Sequence, residues 1–334
     1  MDWEKDTDSL FRLSTGAGQP DLLAASDVMR KRFDSVRLIA SDLGMVLIEG
    51  ETGTGKRLFA RALHAHSPRR RGPFVAVSLK ELSPTLLESE LFGHTRGAFT
   101  GAIAEKVGLV EAAHQGTLFL DEIPKAAPAT QAKILRLVEE REVRRVGDPE
   151  SRKVDVAVVA ASNTNLWSEV IAGRFLHDLY FRLKGDLIRI PPLRERPEDI
   201  HPLLTRYVRE HARRTGRAVP LMDALVWKLL LGHRWPGNVR ELENSVRGIF
   251  SSVRGDTVDR GALEEYLGPG TSGGDRESEQ GSNDLRKAEL LEALRRSGWK
   301  KAPAARALGI SRPTLYSRMR MWGLRDLGQP GEKV

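Results

Sequence analysis

Apolar residues fall into short, nearly unbroken runs between Ser26 and about Pro197: Met45-Val46-Leu47-Ile48, Phe74-Val75-Ala76-Val77, Gly116-Thr117-Leu118-Phe119-Leu120 and Val154 through Ala160. Helical stretches separate them. Runs without polar alternation predict strands covered on both faces, and their spacing predicts a parallel sheet. After Pro191-Pro192 the strands stop, and residues 198–267 read as helices. Residues 1–25 are polar and irregular and read as a flexible arm. Gly268-Pro269-Gly270-Thr271-Ser272-Gly273-Gly274 opens a linker that stays polar to Asn283. The predicted organisation is therefore an arm (1–25), an α/β subdomain (26–196), a helical subdomain (197–267), a linker (268–283), a small all-α domain (284–326) and a tail (327–334). No internal repeat is visible.

Composition narrows the function classes. The 334 residues include no cysteine, which excludes disulfides, thiolate zinc sites, iron–sulfur clusters and a cysteine nucleophile. The start, Met1-Asp2-Trp3-Glu4-Lys5-Asp6, lacks a secretory pattern, and no apolar run approaches the ~18 residues of a membrane helix. A soluble, cytoplasmic protein without membrane association is expected. The net charge of +8 is uneven: residues 284–334 hold 12 Lys/Arg against 5 Asp/Glu, and the rest of the chain is close to neutral. A positive small domain is the footprint of a nucleic-acid binder.

Gly50-Glu51-Thr52-Gly53-Thr54-Gly55-Lys56 follows a predicted strand and opens a predicted helix, the setting a phosphate-binding loop requires. Backbone N–H groups and the helix N-terminus would cradle phosphates, with Lys56 reaching the β/γ oxygens. Arg57 stands where a Ser or Thr usually holds Mg2+, so the metal must rely on an acid elsewhere. Leu118-Phe119-Leu120-Asp121-Glu122 supplies one: Asp121 near the metal and Glu122 placed to polarise the attacking water. Ser162 and Asn163 end the next apolar strand, where a polar group would sense the γ-phosphate. In Trp235-Pro236-Gly237-Asn238-Val239-Arg240, Asn238 is expected to cap a helix and Arg240 to reach from its first turn toward the nucleotide.

Gly97-Ala98-Phe99-Thr100-Gly101-Ala102 follows Glu90-Leu91-Phe92-Gly93-His94. Its glycines let the backbone bend, and Phe99 with Thr100 forms a small sticky tip suited to gripping a partner. Together with the nucleotide motifs, this hexapeptide resembles the hallmark of the AAA+ activators of sigma-54 RNA polymerase, the bacterial enhancer-binding proteins. The resemblance runs from about Ser26 to Leu324. It implies the following: an AAA+ P-loop ATPase fold with a parallel sheet and an α-helical lid; ATP and Mg2+ as cofactors; contact of residues 97–102 with the sigma-54 holoenzyme; Asp121 as metal acid and Glu122 as catalytic base; Arg240 as nucleotide sensor. Asp178-Leu179-Tyr180-Phe181-Arg182-Leu183 looks like the segment that gives an arginine finger, Arg182, to a neighbouring subunit in a ring, typically a hexamer. Pro191 through Arg196 looks like the hinge into the lid. Relatives often carry a sensor domain ahead of the ATPase, and only about 25 residues precede it here, so no sensing in cis is expected.

Three positions depart from the family pattern. Arg57 replaces a Glu. Ser78 replaces the Asn that holds the catalytic glutamate. Leu176 replaces the first of two interface arginines, with Arg174 nearby. These departures motivate two alternatives: a ring mixed with a related co-activator, or a DNA-binding regulator with a weakened ATPase. A general helicase or unfoldase is disfavoured by the hexapeptide.

Trp299 through Arg320 reads as helix, turn, helix: Ala304, Ala305 and Leu308 give an apolar face, Gly309 the turn and Ser311 a cap. Lys300, Lys301, Arg312, Pro313, Thr314 and Arg318 are the candidate contacts to double-stranded DNA. The pattern resembles the Fis-type motif. An earlier helix from Leu285 to Arg296 would pack or dimerise through Leu290, Leu291 and Leu294.

Overall fold

The computed structural model describes residues 10–80 and 83–268 and, further on, Ser297, Lys301, Pro303, Ala304 and Leu315. The chain divides into two compact units, Met1–Ser272 and Gly273–Val334. In the first, β1 (Phe11–Leu13) and β2 (Leu22–Ala24) form an antiparallel hairpin, followed by α1 (Asp27–Ala40), β3 (Met45–Glu49), α2 (Lys56–His66), β4 (Phe74–Ser78) and α3 (Pro84–Phe92). Next come a small hairpin, β5 (Gly93–His94) with β6 (Lys106–Val107), then α4 (Leu109–Ala112), β7 (Thr117–Asp121) and α5 (Pro128–Glu140). A second hairpin, β8 (Glu142–Arg144) with β9 (Ser151–Lys153), leads to β10 (Ala157–Ser162), α6 (Leu166–Ile171), α7 (His177–Leu183) and β11 (Asp186–Arg189).

Five of these strands make one parallel sheet in the order β11-β3-β10-β7-β4. The period of two along each strand sorts its side chains between two cores. Leu47, Leu118, Leu120, Val158 and Ala160 face one layer with Ile134, Leu137, Leu179 and Leu183 from α5 and α7. Val46, Ile48, Phe119, Val159 and Ala161 face the other with Phe33, Phe59 and Leu63 from α1 and α2. Both faces are covered, which is why the strands lack polar alternation. A third core belongs to the helical lid: α8 (Ile200–Thr215), α9 (Ala224–Gly232), α10 (Asn238–Ser251) and α11 (Arg260–Leu267). At its centre Trp235 is fully buried and donates Nε1–H to the Leu230 carbonyl at 3.0 Å.

The structure corrects two expectations and adds two elements that none covered. Residues 11–24 are not an irregular arm. Their hairpin buries Leu13, Leu22 and Ala24 in the sheet's second core, and Leu23 packs against the lid core. Asp186–Arg189, with a charged residue at each end, is a strand at the sheet edge, anchored by Ile188. The lid is mainly helical, as expected, and adds one short antiparallel pair, β12 (Val253–Arg254) with β13 (Thr257–Val258). Val154–Val156 lies before β10 rather than in it.

In the second unit Lys301, Pro303, Ala304 and Leu315 are helical. Ala304 and Leu315 are buried, as the apolar face expected of Ala304 requires, and Lys301 is exposed. Lys300, Arg312, Pro313, Thr314, Arg318, Ala305, Leu308, Gly309, Ser311, the linker beyond Gly268 and the helix expected over 285–296 lie outside the described residues. No helix among the described residues is long and apolar enough to cross a membrane.

One buried ion pair ties hairpin, sheet and lid together. Asp199, fully buried, accepts from the Ala25 and Ser26 N–H groups at 2.6 and 2.8 Å and from Ser26 Oγ at 3.1 Å. Arg196, 2% exposed, sits 3.4 Å from the same carboxylate and 3.4 Å from the Thr54 carbonyl. Burial holds the guanidinium pKa below its ordinary value, and Asp199 opposes that. Removing one partner leaves a buried charge uncompensated. Asp199→Ala is therefore expected to lower the unfolding free energy by about 3–5 kcal/mol in urea titration. Arg196→Met combined with Asp199→Leu should cost clearly less; an equal or greater loss would contradict this account.

Candidate nucleotide site and partner loop

The phosphate loop leaves the C-terminal end of β3 and enters α2. Gly53 and Gly55 adopt positive φ of 82° and 102°, and Gly55 is the N-cap of α2 with no side-chain bond. Among the described residues, the N–H groups of residues 52, 53, 55, 56 and 57 find no acceptor, so the loop presents an open cradle for an anion. Lys56 is buried; its Nζ donates to the Gly50 carbonyl at 2.6 Å and the Glu51 carbonyl at 3.1 Å. Burial lowers its pKa, while Asp121 and Glu122 pull the other way. Thr54 is buried and its Oγ1 donates to the Glu51 carbonyl at 2.8 Å.

β7 delivers the acids. Asp121 ends the strand, and burial raises its carboxyl pKa against the pull of Lys56. Glu122 turns the chain in the left-handed region (φ 56°, ψ 48°) and donates its N–H to Asp121 Oδ1 at 3.0 Å. That turn directs the two adjacent carboxylates differently. Glu122 Oε2 is buried and has no hydrogen-bond partner among the described residues. Ser78 lies in register with Asp121 across β4 and β7, and it makes no bond to Glu122. The oxygen that an asparagine holds in the family pattern thus has no partner among the described residues. One acid with an open cradle suits Mg2+, which binds through one or two carboxylates plus phosphates and water.

These groups share one cleft of about 850 Å3, walled by Gly53, Gly55, Lys56, Asp121 and Glu122 on one side and by Arg240 from the lid on the other. Arg240, exposed on the first turn of α10, lies where the sequence put it. Tyr207 also lines the cleft, its phenol pushed up to about 12 by burial. Ser162 and Asn163 do not line it. Ser162 is buried, donates Oγ–H to the Thr164 carbonyl at 2.6 Å and touches the loop only through its carbonyl, which accepts from Gly50 N–H at 3.1 Å. Arg182 is also outside: it is exposed on α7 and paired with Glu139 at 2.9 Å. Arg174 pairs with Glu169 at 2.7 Å, and Leu176 caps α7 with its N–H on Gln131 Oε1 at 2.8 Å.

The joint between loop and lid was not read from the sequence. Asn238 does not cap α10. Gly237 is the N-cap, and its N–H donates to Glu241 Oε2 at 2.7 Å. Asn238, fully buried at φ 54°, instead donates Nδ2–H to the Thr52 carbonyl (3.0 Å) and to Glu51 Oε2 (3.2 Å), while its Oδ1 accepts Leu193 N–H at 2.7 Å. Arg194 grips the same Glu51 with two bonds of 2.7 and 2.8 Å. A Cβ on Gly53 would lie 2.1 Å from the Gly237 carbonyl oxygen, so the two backbones touch.

The partner loop spans β5 and β6. Thr100 and Gly101 are exposed, and the turn closes through Gly97 N–H to the Ala102 carbonyl at 2.9 Å. Phe99 is not a free tip: it is half-buried, with its ring edge-on to His94 at 5.0 Å. Ala98 abuts Gly147, where a Cβ would sit 2.7 Å from the Ala98 Cβ. The buried Arg145 bonds Glu111 twice, at 2.6 and 2.8 Å, and also Glu105, pinning the base of the loop to the second hairpin.

A phosphate loop, a strand-end acid pair and a helical lid that closes on the loop define an AAA+ P-loop ATPase. Residues 22–189 match the sigma-54 interaction domain, 194–280 the AAA+ ATPase lid domain and 284–322 the bacterial regulatory protein, Fis family. The chain is 43% identical to the transcriptional regulatory protein ZraR of Klebsiella oxytoca over 91% of its length and 70% of that protein's. It is 44% identical to the Nif-specific regulatory protein of Azotobacter vinelandii over 85% of its length and 55% of the relative's. NtrX from Brucella abortus in complex with ADP superposes with a TM-score of 0.70 at 32% identity, covering 90% of this chain and 70% of NtrX. The chain belongs to the sigma-54-dependent transcriptional activators, ATPases with a DNA-binding helix-turn-helix, and its domains imply sigma-54 holoenzyme and DNA as partners. The comparisons give no support to the alternative of a regulator with a weakened ATPase.

Two outcomes follow from the joint. Asn238→Ala strips the buried Leu193 N–H of its acceptor and is expected to cost about 1–3 kcal/mol in urea unfolding; unchanged stability would contradict the role given to Asn238. Arg194 holds the Glu51 carboxyl below its ordinary value. A depressed folded pKa stabilises above the unfolded value and is lost as pH falls through the folded one. Between pH ~5 and ~3 the parent should therefore lose more stability than Glu51→Gln, by no more than about 1 kcal/mol because the pair is part-exposed. Parallel pH curves would remove that contribution.

Proposed function

We propose that the chain works in the cytoplasm as a DNA-bound ring that hydrolyses ATP to remodel sigma-54 holoenzyme. The observation that carries this reading is the convergence of Lys56, Asp121, Glu122 and Arg240 on one cleft, on the same sheet scaffold that carries the exposed Thr100. Residues 50–57 bind the triphosphate, with Lys56 exchanging its carbonyl partners for phosphate oxygens. Asp121 holds Mg2+, which supplies charge neutralisation at the transferring phosphoryl group. Glu122, with an unpartnered carboxylate oxygen, orients and polarises water. Arg240 reports occupancy to the lid. The ATP and ADP complexes of NtrX support the choice of nucleotide.

Arg182 lies outside its own cleft, so it serves the cleft of a neighbouring copy, and the ring, a hexamer in this reading, completes each site. Leu176, an exposed leucine where relatives carry an arginine, favours a second reading: a ring mixed with a related co-activator. Ala98, Phe99, Thr100 and their flanking Gly97, Gly101 and Ala102 contact sigma-54. The basic C-terminal unit, through Lys300, Lys301, Arg312, Pro313, Thr314 and Arg318, holds upstream DNA.

Transcription in vitro from a sigma-54 promoter tests this reading. ATP, and not a non-hydrolysable analogue, should yield open complexes. Thr100→Ala should abolish them while keeping ATP turnover within about twofold. Mixing Arg182→Ala with Lys56→Ala protein should restore turnover that neither has alone, since each supplies what the other lacks. Transcription with the analogue, or activity unaffected by Thr100→Ala, would refute the reading. Hexamers with full turnover from the purified chain would remove the mixed ring.

A further inference from the structure

The cleft carries more positive charge than its motifs require. Arg57 and Lys80 both line it, both are exposed, and neither side chain makes a hydrogen bond or ion pair among the described residues. With Lys56 and Arg240 they set four cations against three acids, Asp121, Glu122 and Glu243. Glu51 does not enter this balance, because its carboxylate is occupied by Arg194 and Asn238. Arg57 is the second residue of α2, directly after the phosphate-loop lysine. Most phosphate loops have a hydroxyl there that ligates the metal. A guanidinium cannot ligate a cation and repels one, and it binds phosphate oxygens through paired N–H donors. Arg57 lines the same cleft as the metal acid, Asp121.

Both effects point the same way. A divalent cation finds fewer protein ligands and more repulsion, while a triphosphate finds more attraction. We propose that Arg57, backed by Lys80, supplies the charge that holds the triphosphate, so that nucleotide binding is nearly independent of Mg2+ and the metal serves hydrolysis alone. This rests on the nucleotide site described above and gives one of its residues the metal's part in binding.

The test uses the full-length protein and a mant-labelled ATP, followed by fluorescence anisotropy at constant ionic strength with excess Mg2+ or with EDTA. For the parent protein, Kd is expected to change by about threefold or less on metal removal. Arg57→Ala should bind about tenfold or more weakly in EDTA than in Mg2+, and Arg57→Lys should keep the parent's insensitivity. Circular dichroism melts of the variants confirm that an exposed substitution leaves the fold intact. A parent that loses at least about tenfold in EDTA, or an Arg57→Ala protein that matches the parent in both buffers, would overturn the proposal. Absence of binding by the parent in both buffers is a different result, which would bring down the nucleotide site itself.

Discussion

The lid rests on the phosphate loop through a contact that leaves no room for a β-carbon. Gly53 meets the Gly237 carbonyl, and Asn238 spans the gap from the Thr52 carbonyl to the Leu193 N–H. Hydrogen bonds here are satisfied on both sides of the hinge, so the loop cannot shift without moving α10 or leaving buried polar groups unpaired. Gly and Asn are what this geometry needs: one for close approach, the other for a buried amide at positive φ that gives and accepts at once. Arg240 lies in the same turn and lines the cleft, which places the proposed nucleotide sensor on the lid.

The same sheet connects the site to the partner loop. β7 ends in Asp121, with Glu122 directly after it, and is flanked by β4, whose continuation through α3 leads into β5 and the 97–102 segment. The base of that segment is clamped by Arg145 between Glu111 and Glu105, and Phe99 is held against His94. Thr100 is left at the exposed turn. A loop with a fixed base and an exposed end transmits displacement instead of absorbing it. The half-buried phenylalanine marks a loop docked on its own support, from which it would have to lift to present its ring.

Chemistry that depends on contiguous residues was legible in the sequence. Gly50 through Lys56, Asp121-Glu122 and the hexapeptide each carry their meaning within a few positions, and the structure brings the first two together with Arg240 in one cleft. The sheet was legible in β3, β4, β7 and β10, which all read as unbroken apolar runs, although β4 lies at an edge and is only half-buried along its length. β11 was hidden because it is four residues long with Asp186 and Arg189 at its ends, which leaves an apolar run of only Leu187 and Ile188. The hairpin at 11–24 was hidden for another reason: its order comes from burial of Leu13, Leu22 and Ala24 in a core assembled from distant elements, and no local pattern announces that. Asn238 was misread because an asparagine at a helix start looks the same whether it caps its own helix or reaches across to another element. Ser162 and Asn163 were placed by position alone, and the structure turns Ser162 into its own turn.

The central claim is that nucleotide state, sensed at the joint of loop and lid, moves the 97–102 segment. The chain contains no cysteine, so Thr100→Cys and Leu231→Cys, both at exposed positions, can take spin labels without removing native thiols. Labelled protein diluted in unlabelled protein, measured by double electron–electron resonance, reports the distance between partner loop and lid within one protomer. The account expects the distance distribution to differ between ADP and ADP–aluminium fluoride, and expects Asn238→Ala to erase that difference. A distribution that is the same in both nucleotide states, or a difference that survives Asn238→Ala, would contradict it.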